Sequence, residues 1–168
     1  GLIVGQKEEP IFSADTIATL YSRIEEKGMR LLTELLPQLA VGSVQLREQD
    51  ENKRRTFRQR APTDGWIDWS QSIEIIDRFI RAQTRPYPGA YTHFLGQKLT
   101  VWSASVIREG GDLVIPKIMK SAAGYDVPCR GGRLLLEEVS YRGIDYKGSQ
   151  LSNLFKEGGQ LLGGIGVS

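Results

Sequence analysis

Five basic side chains fall within eight positions: Lys53, Arg54, Arg55, Arg58 and Arg60. A guanidinium offers its N–H donors in a planar fork that meets two phosphate oxygens at once. The cluster is therefore the best local candidate for holding an anionic substrate such as a sugar nucleotide or a tRNA backbone, with Arg55, Arg58 and Arg60 as candidate binding residues. Glu48, Asp50 and Glu51 precede it directly and dilute its field, and a solvated linker would carry the same charges without any ligand. Phe57 among the arginines could stack on a base. His93 is the only histidine and the only side chain that titrates unperturbed near neutral pH. Its neighbours Thr92, Phe94 and Leu95 alternate as a strand does, and no second catalytic group is placed by spacing, so an exposed strand histidine is expected. Cys129, the only cysteine, shows no sign of an activated thiolate. One cysteine and one histidine exclude a disulfide framework and a Cys/His zinc site within a single chain, and no metal site is expected.

Asp64 and Asp68 have the look of paired carboxylates for acid–base work. A turn at Asp64-Gly65 and a helix cap at Asp68 account for them without catalysis. The pairs Gly110-Gly111 and Gly131-Gly132 are turn glycines, because neither sits in a strand–glycine–helix frame with a following lysine and hydroxyl. Trp66, Trp69 and Trp102 each combine a large apolar area with one N–H, and are expected to build the core that joins a helix to a sheet.

The elements that must position these residues follow from periodicity. Residues 2–12 start apolar, turn polar and meet Pro10, as an exposed or edge strand would. Ser13 or Asp15 can cap a helix, and Ile17, Leu20, Tyr21, Ile24, Leu31, Leu32, Leu35, Leu36 and Leu39 keep helical spacing to about residue 40, with a stop at Gly42. Gly28 and Pro37 predict a break or bend. Residues 47–62 are polar and charged without apolar period, the composition of a connector. Asp68 or Ser70 caps a second helix with Ile73, Ile76, Phe79 and Ile80 on one face, ended by Arg85-Pro86-Tyr87-Pro88-Gly89. Short strands are expected at 90–95, 98–107, 113–119 and 133–139, with turns at Gly110-Gly111-Asp112 and Arg130-Gly131-Gly132, which suggests a small barrel or sandwich. A short helix is expected over 149–156, followed by a frayed glycine-rich tail.

Composition bounds the class. At 168 residues, 40% apolar and 25% charged, the chain is long enough for one ordinary domain or two small ones with a real core. A net charge of +2 is too small to argue for nucleic acid by itself, since such binding comes from clustered charge. No apolar run approaches the roughly 20 residues of a membrane span, so no membrane partner is expected. The lone cysteine fits a reducing compartment, the cytoplasm. The start at Gly1 without methionine suggests either a residue left over from cloning or a missing upstream portion.

Residues 64–102 carry the most specific pattern. They run Asp64-Gly65-Trp66-Ile67-Asp68-Trp69, then Ile80-Arg81-Ala82, then Pro86-Tyr87-Pro88-Gly89-Ala90, then Gly96-Gln97-Lys98-Leu99-Thr100-Val101-Trp102. This order resembles the start of the C-terminal domain of the 10-formyltetrahydrofolate-dependent formyltransferases, the family of methionyl-tRNA formyltransferase and the amino-sugar formyltransferases. Gly132-Arg133-Leu134-Leu135-Leu136 and Gly148-Ser149-Gln150-Leu151 look like the closing strand and terminal helix of the same domain. The resemblance implies an α+β chain. Residues 1–46 would be the last strand and helix of a Rossmann-like catalytic domain, 47–62 a connector, 63–157 an OB-like β-barrel domain, and 158–168 a flexible tail.

The resemblance also implies what is absent. The family's catalytic asparagine, histidine and aspartate precede a glycine to which Gly1 would correspond, so all three are expected upstream of residue 1. His93 does not replace the missing histidine. The cofactor implied is 10-formyltetrahydrofolate, bound mainly by that upstream part, and this portion alone is expected to be inactive. The run Arg58-Gln59-Arg60-Ala61-Pro62-Thr63-Asp64 is similar to the connector of sugar-nucleotide formyltransferases, and Val101-Trp102-Ser103 echoes them. An amino-sugar nucleotide is therefore the favoured acceptor and initiator tRNA the alternative. A third expectation, from a different class, is a non-catalytic module that engages a polyanion through the basic connector.

Overall fold

Thr16 begins the first helix, α1 (Ile17–Ala40). Its hydroxyl accepts from the Thr19 N–H at 3.3 Å while the Thr19 hydroxyl accepts from the Thr16 N–H at 3.0 Å, a reciprocal box that satisfies two otherwise orphaned donors. The caps expected at Ser13 or Asp15 are not used. Asp15 instead accepts from the Phe12 N–H at 2.7 Å and from Arg23. Gly28 and Pro37 both lie within one continuous helix. Gly42, at φ +70°, stops it as expected: its N–H donates to the Leu39 carbonyl and the Ser43 N–H reaches back to that of Gln38, the paired closure glycine permits.

The computed structural model describes residues 1–109, 116–156, 158–159 and 162–163. They form two units, Gly1–Arg60 and Ala61–Ser168. In the first, the strand expected over 2–12 does not form; only Ile3 bridges Arg47, through backbone bonds of 2.7 and 3.0 Å. A strand needs a neighbour to take its backbone groups, and this segment is held to α1 by side chains instead. Arg23 bonds Glu9 at 2.7 Å and Asp15 at 2.6 Å, and Lys27 bonds Glu9 at 2.5 Å. No residue of α1 is buried, and Ile24, Leu32, Leu36 and Leu39 on its apolar face are exposed. Of the strand and helix expected to end a Rossmann-like domain, the helix is present and the strand is not, and a Rossmann-like unit is not shown by these residues.

Among the described residues the second unit is an antiparallel sheet of six strands with helices against it. The strands are β1 (Ala90–Phe94), β2 (Gln97–Ile107), β3 (Met119–Ser121), β4 (Gly124–Cys129), β5 (Gly132–Tyr141) and β6 (Ile144–Lys147). Their order is β1-β2-β5-β4-β3, with β6 also on β5. Helix α2 (Ile73–Gln83) turns Ile73, Ile76 and Ile80 into the core, and α3 (Leu151–Phe155) contributes Leu151 and Phe155. These pack on Phe94, Leu99, Val101, Val127 and Leu134. The N-cap of α2 is Ser72 rather than Asp68 or Ser70. Two hairpins close through pairs of positive-φ residues, Leu95-Gly96 and Arg142-Gly143, whose backbone sense matches strand twist.

The strands at 90–95, 98–107 and 133–139 form within a residue or two of expectation. Of the strand expected at 113–119, residues 113–115 lie outside the described residues, as does the turn at Gly110-Gly111-Asp112, and only Met119 enters β3. Strand β4 went unpredicted because Gly124, Asp126 and Pro128 are poor strand formers. Pro128 is tolerated because pairing with β3 ends at Asp126, leaving no ladder on its outer side. The tail expected to be frayed is in part packed: Leu162 is buried, its N–H donates to the Pro116 carbonyl at 2.7 Å, and Gly159 and Gly163 donate to Ile118 and His93. Residues 157, 160–161 and 164–168 lie outside the described residues.

Candidate functional site

The basic connector is extended and exposed. Asp50 accepts from the Asn52 N–H at 3.1 Å and starts a single 3-10 turn, Glu51–Lys53. There Lys53 lies 3.4 Å from Asp50 and Arg54 3.7 Å from Glu51, so two of the five cations face nearby acids. Arg55, Arg58 and Arg60 follow on exposed backbone without regular structure, around Phe57, which is 82% exposed. An exposed aromatic ring flanked by guanidinium groups is an arrangement that can meet a base and its phosphates together. No cleft among those described is lined by these arginines.

Downstream, the segment 64–102 builds structure. Asp64 accepts from the Ala61 N–H at 2.8 Å and closes the 3-10 turn Pro62–Gly65. A Cβ on Gly65 would stand 2.7 Å from the Gly89 carbonyl oxygen. A Cβ on Gly89, which sits at φ +86°, would stand 2.3 Å from Thr100 Cγ2 and 2.8 Å from the Trp102 ring. Gly65 lets its backbone approach that of Gly89, and Gly89 leaves room for the Thr100 and Trp102 side chains. Arg85 is the hub: it donates to Glu138 at 2.5 Å and to Asp145 at 2.9 Å, and its guanidinium lies 4.1 Å above the Trp102 ring. Trp102 Nε1 donates to Ser140 at 2.5 Å, and Ser140 donates in turn to Asp145. Hydrogen bonds from Arg85 hold the Glu138 carboxyl below its ordinary range, with Lys147 contributing less. Sequence reasoning took Arg85 only as a helix terminator; its two carboxylate partners lie more than 50 positions away, a separation no local pattern reveals.

Of the three tryptophans expected in the core, only Trp69 is there, 8% exposed, donating to Thr92 at 3.1 Å. Trp102 is half-buried in the Arg85 network. Trp66 lies at the surface, edge-on to Tyr91 at 5.5 Å and to His93 at 5.3 Å. Lys98 sits 4.6 Å over the Tyr91 ring. Beside Trp66 a small apolar cleft of about 100 Å³ opens between Ile75, Ile76 and Phe79. The Asp68 carboxyl accepts from Gln71 and from Ser70, which hold it below its ordinary range in that order of importance. That leaves it a turn-former rather than a proton donor. His93 is half-buried on β1, and its ring contacts are Trp66 and Tyr91, with no carboxylate among the described residues to orient it. Burial pushes the Cys129 thiol up to about 12, which makes it unreactive. Among the described residues no group of three His, Cys, Asp or Glu could hold a metal ion, and no helix is long and apolar enough to cross a membrane.

Two features escaped the sequence reading. Asp126 is fully buried on the unpredicted β4, with one carboxylate oxygen 3.1 Å from Arg133 and the other, Oδ1, without a partner among the described residues. A cleft of about 730 Å³ opens between β4 and β6, with Lys120 and Lys147 among its lining residues. Neither described cleft brings a histidine together with an acid and an amide, and no step of formyl transfer is assigned to the described residues.

Residues 60–152 match the family model described as formyl transferase, C-terminal domain. Among solved structures, a substituted variant of HypX from Aquifex aeolicus is similar with a TM-score of 0.67 at 17% identity, covering 88% of this chain and 26% of that one. A second variant gives 0.66 at 17% identity over 86% and 27%. HypX from the same organism in complex with tetrahydrofolic acid gives 0.65 at 17% identity over 86% and 26%. The chain thus spans about a quarter of the length of these proteins, and at such identity the likeness is one of fold.

Proposed function

This chain belongs to the formyl transferase C-terminal domain family, and we propose that it serves a formyltransferase that passes a formyl group from 10-formyltetrahydrofolate to an amine. The observation that carries the reading is the family match over 60–152, which begins where the arginine-rich connector ends. That HypX is seen with tetrahydrofolic acid supports a folate donor. The donor's own site and the catalytic groups are assigned to a preceding Rossmann-like domain, of which residues 1–46 would be the end. In this reading the uncovered apolar face of α1 packs on that domain, the six-stranded unit is an OB-like barrel, and the protein works in the cytoplasm. The favoured acceptor is an amino-sugar nucleotide, on the similarity of Arg58 to Asp64 to the connectors of such enzymes, with Arg55, Arg58 and Arg60 meeting its phosphates.

A second reading, initiator methionyl-tRNA as acceptor, is favoured by the exposure of Phe57 among those arginines. A module that binds a polyanion without catalysis would use the same residues. Titration of a uridine-diphosphate amino sugar and of initiator tRNA against the protein separates them. Saturable sugar-nucleotide binding that weakens on joint Arg58→Ala and Arg60→Ala substitution is expected. Absence of sugar-nucleotide binding beside salt-sensitive tRNA binding would replace the favoured acceptor.

A further inference from the structure

Two of the three tryptophans satisfy their indole N–H inside the fold, Trp69 on Thr92 and Trp102 on Ser140. Trp66 is 37% exposed, and its N–H has no partner among the described residues. Its backbone is nonetheless fixed: the 3-10 turn Pro62–Gly65 leads directly into it, and the N–H of the buried Ile67 that follows donates to the Tyr91 carbonyl at 2.8 Å. A large ring held on fixed backbone with an unused donor is preorganised to meet a partner.

Two apolar features meet at this indole. In the first, Tyr91 and His93 share one face of β1, both edge-on to Trp66, and Lys98, cross-strand from His93, lies over the Tyr91 ring. The second is the cleft of about 100 Å³, where Ile75 and Phe79 stand one turn apart on α2, with Ile75 exposed. Small-molecule sites run to roughly 300–1,000 Å³. This cleft instead has room for one side chain of a larger partner.

The charges and donors narrow what that partner is. Lys98 has no ion-pair partner among the described residues, so an incoming carboxylate would meet an unneutralised cation. Asp68 at the cleft, bonded by Ser70 and Gln71, adds a negative charge. A single-stranded nucleic acid needs a basic groove along its backbone, and one lysine with one aspartate does not supply it. A docked helix needs a groove for several anchors over two turns, and the cleft holds one. A polyproline II segment has no internal hydrogen bonds, so its carbonyls are free to accept from Trp66, and its rings, advancing about 3.1 Å per residue, pack against aromatic side chains.

We propose that the surface formed by Trp66, Tyr91, His93, Ile75 and Phe79 binds an extended proline-rich segment of a partner protein, with a carbonyl on the Trp66 N–H, one apolar side chain in the cleft and an acidic residue on Lys98. The surface lies wholly within the six-stranded unit, and the inference does not rest on the identity of the formyl acceptor.

The probe is the peptide acetyl-Pro-Pro-Leu-Pro-Pro-Glu-Glu-amide, titrated into the full chain and followed by ¹H–¹⁵N correlation spectra, in which each indole N–H gives its own signal. A Kd of about 0.3 mM is expected for so short a segment. The Trp66 indole and the amides of Ile75, Tyr91 and His93 should shift, while the Trp69 indole, bonded to Thr92, should not. Replacing the prolines by glycine and serine, or the glutamates by lysines, should weaken binding roughly fivefold or more. Trp66→Phe keeps a ring and removes the donor, and should cost about fivefold. Lys98→Gln should erase the preference for glutamate over lysine while leaving the dispersion of the spectrum intact. Equal affinity for the glycine–serine peptide, an unmoved Trp66 indole, or no shifts at millimolar peptide would overturn the proposal. So would displacement of the peptide by octathymidylate, or the same signals moving with protein concentration alone, which would give the surface to a nucleic acid or to a second copy of the chain.

Discussion

Replacing Phe155 with alanine tests whether the short helix α3 closes the core or merely decorates it. Phe155 is fully buried, with its ring 5.3 Å from that of Phe94 on β1 and 5.4 Å from that of Tyr125 on β4. Removing a buried phenyl group costs roughly 2–3 kcal/mol in transfer free energy, and each lost ring contact adds about 0.5–1.5 kcal/mol. The sum, roughly 3–6 kcal/mol, overlaps the roughly 3–5 kcal/mol range of such substitutions. For a unit of this size that is a fall in Tm of at least about 12 °C. Urea unfolding followed by tryptophan emission reports the six-stranded unit alone, because Trp66, Trp69 and Trp102 all lie in it. Leu154→Ala in the same helix, at a half-buried position, controls for helix propensity and should cost less. A loss under about 1 kcal/mol for Phe155→Ala, with an unchanged urea slope, would refute the argument that α3 is part of the core.

Three further outcomes follow from named contacts. The Asp15 carboxyl is held well below its ordinary value of 3.8, first by Arg23 and then by the Phe12 N–H, and Glu9 below 4.5 by Lys27 and then Arg23. Depressed carboxylates stabilise above their ordinary values and lose that contribution as pH falls through the lowered ones. The 8–15 segment should thus stay on α1 at pH 4 and release only in stronger acid; a carbon-13 carboxyl titration placing Asp15 at 3.8 or higher contradicts this. Gly89→Ala combines a positive φ with the Thr100 and Trp102 contacts, and should cost more than about 1 kcal/mol and alter the near-ultraviolet dichroism of Trp102; an unchanged spectrum and stability would count against the close crossing. Cys129, buried with its thiol at about 12, should react with a disulfide reagent in urea but not in the native protein, and a native rate near that of free cysteine would disprove its burial.

Much of the fold was legible because it is local. The spacing of Ile73, Ile76 and Ile80 sets the inward face of α2 whatever surrounds it, and Gly42 stops α1 through its own backbone geometry. The strands at 90–94, 97–107 and 132–141 were visible in residues that favour the pleated state. Strands β4 and β6 were not: β4 carries glycine, aspartate and proline, and β6 has only four residues, so neighbours supply the stability that propensity withholds. The uncovered face of α1 was legible as amphipathic, yet nothing local tells whether an apolar stripe is buried.

The candidate sites divide in the same way. The sequence by itself determined the charge of the connector at Arg55, Arg58 and Arg60, the family signature, and the absence of any second cysteine or histidine for a metal site, since these depend only on residue type and order. Only the tertiary structure decided that Arg85 joins Glu138, Asp145 and Trp102, that Trp66 faces outward while Trp69 faces in, and that β5 opens a cleft at Glu137. Each of these depends on which strands lie side by side. That choice is made by burial of the whole apolar surface at once, and no segment of the chain carries it alone.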